Sequence, residues 1–297
     1  MYVLGAQAYR AGDKDAAFKY LSDAVAQNPS LRMAQAMLAD LYRQRGDYRN
    51  AATHYEAAAR LDPYSLANQY NLGVMYQLLR RFQDAAASYL RALELNPRDV
   101  KSNMNLGTVY LSLGQTGDAV NYLERATMID GNSSDAWSNL GVAYDSAGKL
   151  QLAEQAYRKA LELKGASPAV MQNLGANLIA QNRTAEAVAV MEQVVQKSNT
   201  ASAHKVYGDA LSTAKRFDEA IDQYNQALKL DANYYPAMNG KGYALLAQYK
   251  TGMELDEEKL RDAVALWKVS LRLNPQQPKV AQALKQVETP GGFGKRG

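Results

Sequence analysis

Small and large apolar positions recur along this 297-residue chain at a fixed interval, with polar residues between them. The segment Asn71-Leu72-Gly73 returns as Asn105-Leu106-Gly107, Asn139-Leu140-Gly141 and Asn173-Leu174-Gly175, each step being 34 residues. With Leu66 as position 1 of a unit, position 20 reads Ala17, Ala51, Ala85, Ala119, Ala153, Ala187, Ala220 and Ala263. Position 8 is Gly5, Ala39, Gly73, Gly107, Gly141, Gly175, Gly208 and Gly242. Large residues form columns too, with Leu at position 7 in six units. Position 24 holds Leu21, Tyr55, Tyr89, Leu123, Tyr157, Met191, Tyr224 and Trp267. Spacings of three and four put positions 7, 8 and 11 on one face of a first helix and positions 20, 24 and 27 on one face of a second. Each unit therefore reads as two helices packed face to face, with small residues letting the backbones approach.

Turn chemistry divides the chain accordingly. Gly12-Asp13, Gly46-Asp47 and Gly148-Lys149 fall between the helices of a unit, where a helix end favours Gly. Asn28-Pro29, Asp62-Pro63, Asn96-Pro97 and Asn274-Pro275 fall between units, because the residue before proline leaves the α region and proline opens the next helix. The units run 1–31, 32–65, 66–99, 100–133, 134–167, 168–200, 201–234 and 235–277. The first starts at its fourth position, as a short first helix or a truncated one. The last has nine surplus residues at 251–259, read either as a lengthened second helix with Asp256 as N-cap or as a protruding acidic loop. Residues 278–288 read as a capping helix and 289–297 as a disordered tail.

The 34-residue period and the Leu-Gly, Tyr, Ala, Tyr, Ala and Pro columns over residues 1–277 resemble the tetratricopeptide-repeat family. The resemblance implies an all-α, right-handed superhelical solenoid of about eight helix-turn-helix units, acting as a non-catalytic adaptor. It further implies a concave groove lined by first helices, in which positions 2, 5, 6, 9, 12 and 13 face a bound segment. In this chain those positions include Tyr70, Val74 and Gln77, then Lys101, Met104 and Thr108, and then Asp135, Ser138 and Val142, a mostly neutral lining with apolar patches. Position 6 holds Asn71, Asn105, Asn139 and Asn173. A primary amide both donates and accepts, so such a row can pair with the main chain of an extended peptide whatever its sequence. The row is similar to one in the repeat region of O-linked N-acetylglucosamine transferase, where asparagines hold a peptide main chain. The alternative is that these amides bond within their own helices or to water. The two-carboxylate clamp of chaperone-binding family members is missing, since the one Lys at position 5, Lys205, is followed by Asp209 at position 9.

Composition narrows the function classes. With no Cys there is no thiolate nucleophile, disulfide or Cys-based zinc site, and either a cytoplasmic or a periplasmic setting is compatible. The two histidines, His54 and His204, stand in different units and read as surface residues, so no catalytic residue, metal or cofactor is expected. Thirty-four basic and 30 acidic residues are intermixed, with no basic track for nucleic acid and no apolar run that would span a bilayer. Position 11 (Tyr42, Tyr76, Tyr110, Tyr144) and position 24 tyrosines read as core, and Tyr70 as a surface contact. The expected partner is an extended protein segment gripped by the four asparagines, with Tyr70, Val74, Met104 and Val142 supplying side-chain pockets. Two alternatives stand beside it: a self-associating assembly platform, and the regulatory repeat region of a larger enzyme such as a glycosyltransferase.

Overall fold

A computed structural model describes residues 1–165, 167–252 and 256–289. The expected tail beyond 289 and the middle of the 251–259 surplus lie outside the described residues. Seventeen α-helices and no strand occur among the described residues. They divide into two compact units, residues 1–149 and 150–297.

The first unit comprises α1 (Tyr2–Ala11), α2 (Lys14–Gln27), α3 (Arg32–Gln44), α4 (Tyr48–Leu61), α5 (Leu66–Leu78), α6 (Phe82–Leu95), α7 (Val100–Ser112), α8 (Thr116–Ile129) and α9 (Ser134–Ser146). Helices pair within each repeat, α1 with α2 through α7 with α8, and each second helix packs on the next first helix. The second unit comprises α10 (Leu150–Lys164), α11 (Pro168–Ala180), α12 (Thr184–Lys197), α13 (Ala201–Thr213), α14 (Phe217–Leu230), α15 (Tyr235–Thr251), α16 (Glu257–Leu273) and α17 (Pro278–Glu288), joined in the same way. The surplus in the last repeat lengthens both α15 and α16 to 17 residues, rather than the second helix alone. Asp256 accepts a hydrogen bond from the Lys259 N–H and so caps α16.

Packing explains the small columns. All eight alanines at position 20 are fully buried, and the position 24 side chains Leu21, Tyr89, Leu123, Met191 and Trp267 have no exposed surface. Position 8 is small because position 24 lies directly on it. A Cβ on Gly73 would come 2.7 Å from Tyr89 Cε1, one on Gly107 2.5 Å from Leu123 Cγ, and one on Gly208 2.6 Å from Tyr224 Cε1. The inner turn places position 15 in the left-handed region throughout the first seven repeats, at Gly12, Gly46, Arg80, Gly114, Gly148, Asn182 and Lys215. In three of them the residue is not glycine and bears the Cβ penalty of that conformation.

The joints use two side-chain devices. At Asn28, Asn96, Asp130, Asp231 and Asn274 the side-chain oxygen accepts from the N–H two residues on, at 2.9–3.1 Å, closing the turn around the residue that follows. Position 4 of the next helix then reaches back six residues to a carbonyl at the joint. Gln35 donates to Pro29 O (2.8 Å), Asn103 to Pro97 O (3.1 Å) and the Trp137 indole to Gly131 O (2.9 Å). These donors satisfy carbonyls left without a helical partner where one helix ends and the next begins.

Candidate functional site

In the first unit the first helices neighbour one another, α1 with α3 and α7 with α9, and side chains bridge α5 to α7. Their shared face carries Asn71, Asn105 and Asn139, each half-buried, together with half-buried Tyr70, Val74, Met104 and Val142. Asn173 holds the same place on α11 in the second unit and is also half-buried.

The tyrosines of position 24 enter this face from beneath. Because Gly73 has no Cβ, the Tyr89 ring lies across α5 and its hydroxyl reaches one turn along the same face, where it donates to Gln77 Oε1 at 2.9 Å. The same hydroxyl accepts from Asn105 Nδ2 at 3.3 Å, and Tyr70 accepts from that nitrogen at 3.2 Å. Gln77 donates onward to Thr108 Oγ1, which donates to Asn105 O. Burial pushes the pKa values of both Tyr70 and Tyr89 up, so the phenols stay protonated, Tyr89 donating to Gln77 and both accepting from Asn105. Asn105 is thus fixed in orientation, its N–H₂ committed to two phenols and its oxygen left to accept. Tyr70, expected on the surface, is half-buried and tilted against Tyr89 at 5.8 Å between ring centroids.

Gly208 and Tyr224 repeat the arrangement in the second unit, where the Tyr224 hydroxyl donates to Asp209 Oδ1 at 2.8 Å. Lys205 Nζ lies 2.7 Å from the other oxygen of Asp209, so this lysine is held by its own helix. On the outer side, Tyr76 donates to Glu56 and Tyr144 to Glu124, both at 2.6 Å. Burial, reinforced by the neighbouring Glu124 carboxylate, pushes the Tyr144 phenol up to about 12.

Between α1, α3 and α5 the first-helix face sinks into a pocket of about 370 Å³ that includes Asn71. Met33 and Met37 supply apolar walls, and Asp40 and Asp62 are its acidic members. Asp40 accepts from Tyr9 (2.5 Å), from Gln44 (2.6 Å) and from Arg43. Burial alone would raise the Asp40 pKa, but these three donors outweigh it and hold the carboxyl below its ordinary value. Burial together with Asp40 pushes Tyr9 up to about 12.

Both histidines are half-buried and bonded, not surface residues. His54 Nδ1 lies 2.7 Å from Gln35 Oε1 and stacks on Tyr42 at 5.3 Å, and burial lowers its pKa. His204 Nδ1 lies 2.7 Å from Gln223 Oε1. One pair sets His at position 23 against Gln at position 4, and the other reverses the two. Sequence reasoning had no signal for this, because the columns vary in residue type while conserving a donor–acceptor pair. Among the described residues no group of three His, Asp or Glu could hold a metal ion, and no helix is long and apolar enough to cross a membrane.

Comparison with known proteins agrees with the geometry. A crystal structure of MamA matches at 25% identity and a TM-score of 0.52, covering 54% of this chain and 94% of that one. A tetratricopeptide-repeat protein from Parabacteroides merdae ATCC 43184 matches at 18% identity and a TM-score of 0.71, covering 86% of this chain and 97% of its own. The anaphase-promoting complex hetero-tetramer Cut9-Hcn1 matches at 15% identity and a TM-score of 0.67 over 96% of this chain and 55% of that one, a likeness of fold. No curated protein sequence matches the chain. Two sequence profiles of the tetratricopeptide repeat match, one at residues 2–65, 36–100, 70–134, 173–235 and 207–248 and the other at 134–165. Paired helices with a small residue seated under a large one, repeated every 34 residues and matched by these profiles along most of its length, place this chain in the tetratricopeptide-repeat family.

Proposed function

We propose that the chain is a non-catalytic adaptor whose first-helix face grips an extended segment of a partner protein. The observation that carries the reading is the fixed amide of Asn105. Two phenols take its hydrogens, so its oxygen is presented as an acceptor at no further cost in side-chain ordering, as a main-chain N–H requires. Asn71 and Asn139 offer the same group on other first helices of the first unit, and Asn173 offers it at the same repeat position in the second, in the manner of the amide row of O-linked N-acetylglucosamine transferase. Tyr70, Val74, Met104 and Val142 line the face for side chains. The test replaces the four asparagines by Ala and measures affinity for a partner captured by crosslinking from the native cell. Loss of at least tenfold with an unchanged helical circular dichroism spectrum is expected, and unchanged affinity would remove the asparagines from the reading.

A second reading is self-association into an assembly platform. Mass in solution over a concentration series decides it, because a strict monomer at high concentration rules the platform out.

A further inference from the structure

The pocket between α1, α3 and α5 has a feature that the adaptor reading does not use. At five joints the Asn or Asp side chain closes its own turn by accepting from the N–H two residues on. Asp62 occupies the same repeat position but turns its Oδ2 toward Arg32 Nη1, 3.5 Å away. The carboxylate is thereby released from the joint and delivered to the pocket.

Its present partner holds it loosely. The Arg32 side chain is 61% exposed and Asp62 31%, and a single long contact between groups this wet is worth little. Asp40, the other carboxylate of the pocket, is saturated by Tyr9, Arg43 and Gln44 and offers nothing further. One wall is apolar and adaptable, with Met33 51% exposed and Ala36 and Met37 beside it, while Ser65, Asn68 and Asn71 form a neutral polar rim. An apolar strip that ends at one under-used carboxylate, with no second free charge around it, is complementary to a side chain with a long aliphatic stem and a cationic tip.

We infer that this pocket receives an arginine or lysine side chain of the bound segment, its stem along Met33 and Met37 and its charge on Asp62, in place of Arg32. The inference rests on the adaptor reading for the source of that side chain but not for the pocket's chemistry.

The test uses the full chain labelled at the methionine methyls and titrated with N-acetyl-arginine-methylamide, N-acetyl-lysine-methylamide and the uncharged N-acetyl-norleucine-methylamide. The two basic amides are expected to shift the Met33 and Met37 methyl signals with affinity on the order of millimolar, and norleucine to bind several-fold more weakly. Asp62→Asn is expected to weaken the basic amides about threefold, and Arg32→Ala, which removes the competing guanidinium, to strengthen them by a similar factor. Opposite signs from two exposed substitutions cannot come from a general loss of folding. Equal binding of norleucine, no methyl shift with any amide, or the same direction of change in both variants overturns the inference. Because Asn71 also lines this pocket, the adaptor reading is tested separately by the variant that replaces only Asn105, Asn139 and Asn173, on which none of those outcomes bears.

Discussion

The ring of Tyr89 lies across the backbone of Gly73 so closely that a methyl group there would meet Cε1 at 2.7 Å, and this contact lets the Tyr89 hydroxyl reach Gln77 one turn further along the same face of α5. Core packing and the candidate binding face are therefore one arrangement in this repeat.

Gly73→Ala will overpack that contact and cost about 1–3 kcal/mol. Gly117→Ala, in α8 where a Cβ meets nothing within 4 Å, will be neutral or stabilising by up to about 1 kcal/mol. Chemical denaturation midpoints of the two variants compare them directly, and equal shifts would show that the ring does not set the identity of position 8.

Position 15 predicts gains as well as losses. Arg80 (φ 58°) and Lys215 (φ 61°) hold the left-handed conformation that glycine takes at the same place in Gly46 (φ 77°). Arg80→Gly and Lys215→Gly will each raise stability by up to about 1 kcal/mol, and Gly46→Ala, which has open space around it but the wrong φ, will lower it by about as much. Thermal unfolding of the three variants, read together, checks the sign at each site.

The reach-back of position 4 has its own cost when removed. Asn103 is fully buried and donates to both Pro97 O and Asp99 O. Asn103→Leu keeps the branched shape but leaves Pro97 O without its side-chain donor, while Asp99 O still accepts from the Asn103 main-chain N–H, for a loss of about 1–3 kcal/mol. Amide hydrogen exchange should localise the faster opening to the start of α7, and a uniform change along the chain would contradict a joint-specific role.

Stability will fall on both sides of neutrality. Tyr9 and Tyr144 have pKa values raised to about 12 from an ordinary value near 10, first by burial and then by Asp40 and Glu124. The unfolded chain loses these protons first, so the stabilisation is complete below pH 10 and is lost as pH rises toward 12. Asp40 and Glu154 have lowered values, because the hydrogen bonds they accept outweigh burial, so their contribution is present at neutral pH and disappears as pH falls through about 4 and below. Denaturant midpoints measured across pH will show a plateau with two falling limbs. Tyr144→Phe will make the alkaline limb shallower, the other buried phenols keeping the remainder, and leave the acidic limb in place, whereas Tyr9→Phe, which removes a donor to Asp40, will weaken both limbs.

Much of the fold could be read from columns of residues. Eight alanines at position 20 and glycine or alanine at position 8 imply paired helices whatever the surroundings, because a helix has a fixed period and a buried small residue has few other uses. The candidate face was legible only in part. Asn71, Asn105, Asn139 and Asn173 stand out as a column, but the commitment of the Asn105 nitrogen to Tyr70 and Tyr89 joins residues 35 and 16 positions apart. Whether an amide is free or occupied depends on where neighbouring side chains end, and a periodic pattern does not contain that information.

The order of helices, their pairing and the places where they turn were determined by the sequence alone, since 3.6-residue periodicity, proline and glycine act over a few residues. Only the tertiary structure decided which polar groups are spent inside the fold: that the histidines bond to glutamines, that the Tyr89 phenol ends among Gln77 and Asn105, and that Asp62 leaves its joint for Arg32. Those outcomes depend on distances between residues one repeat apart, where a shift of an ångström makes or breaks a hydrogen bond without changing any residue in its column.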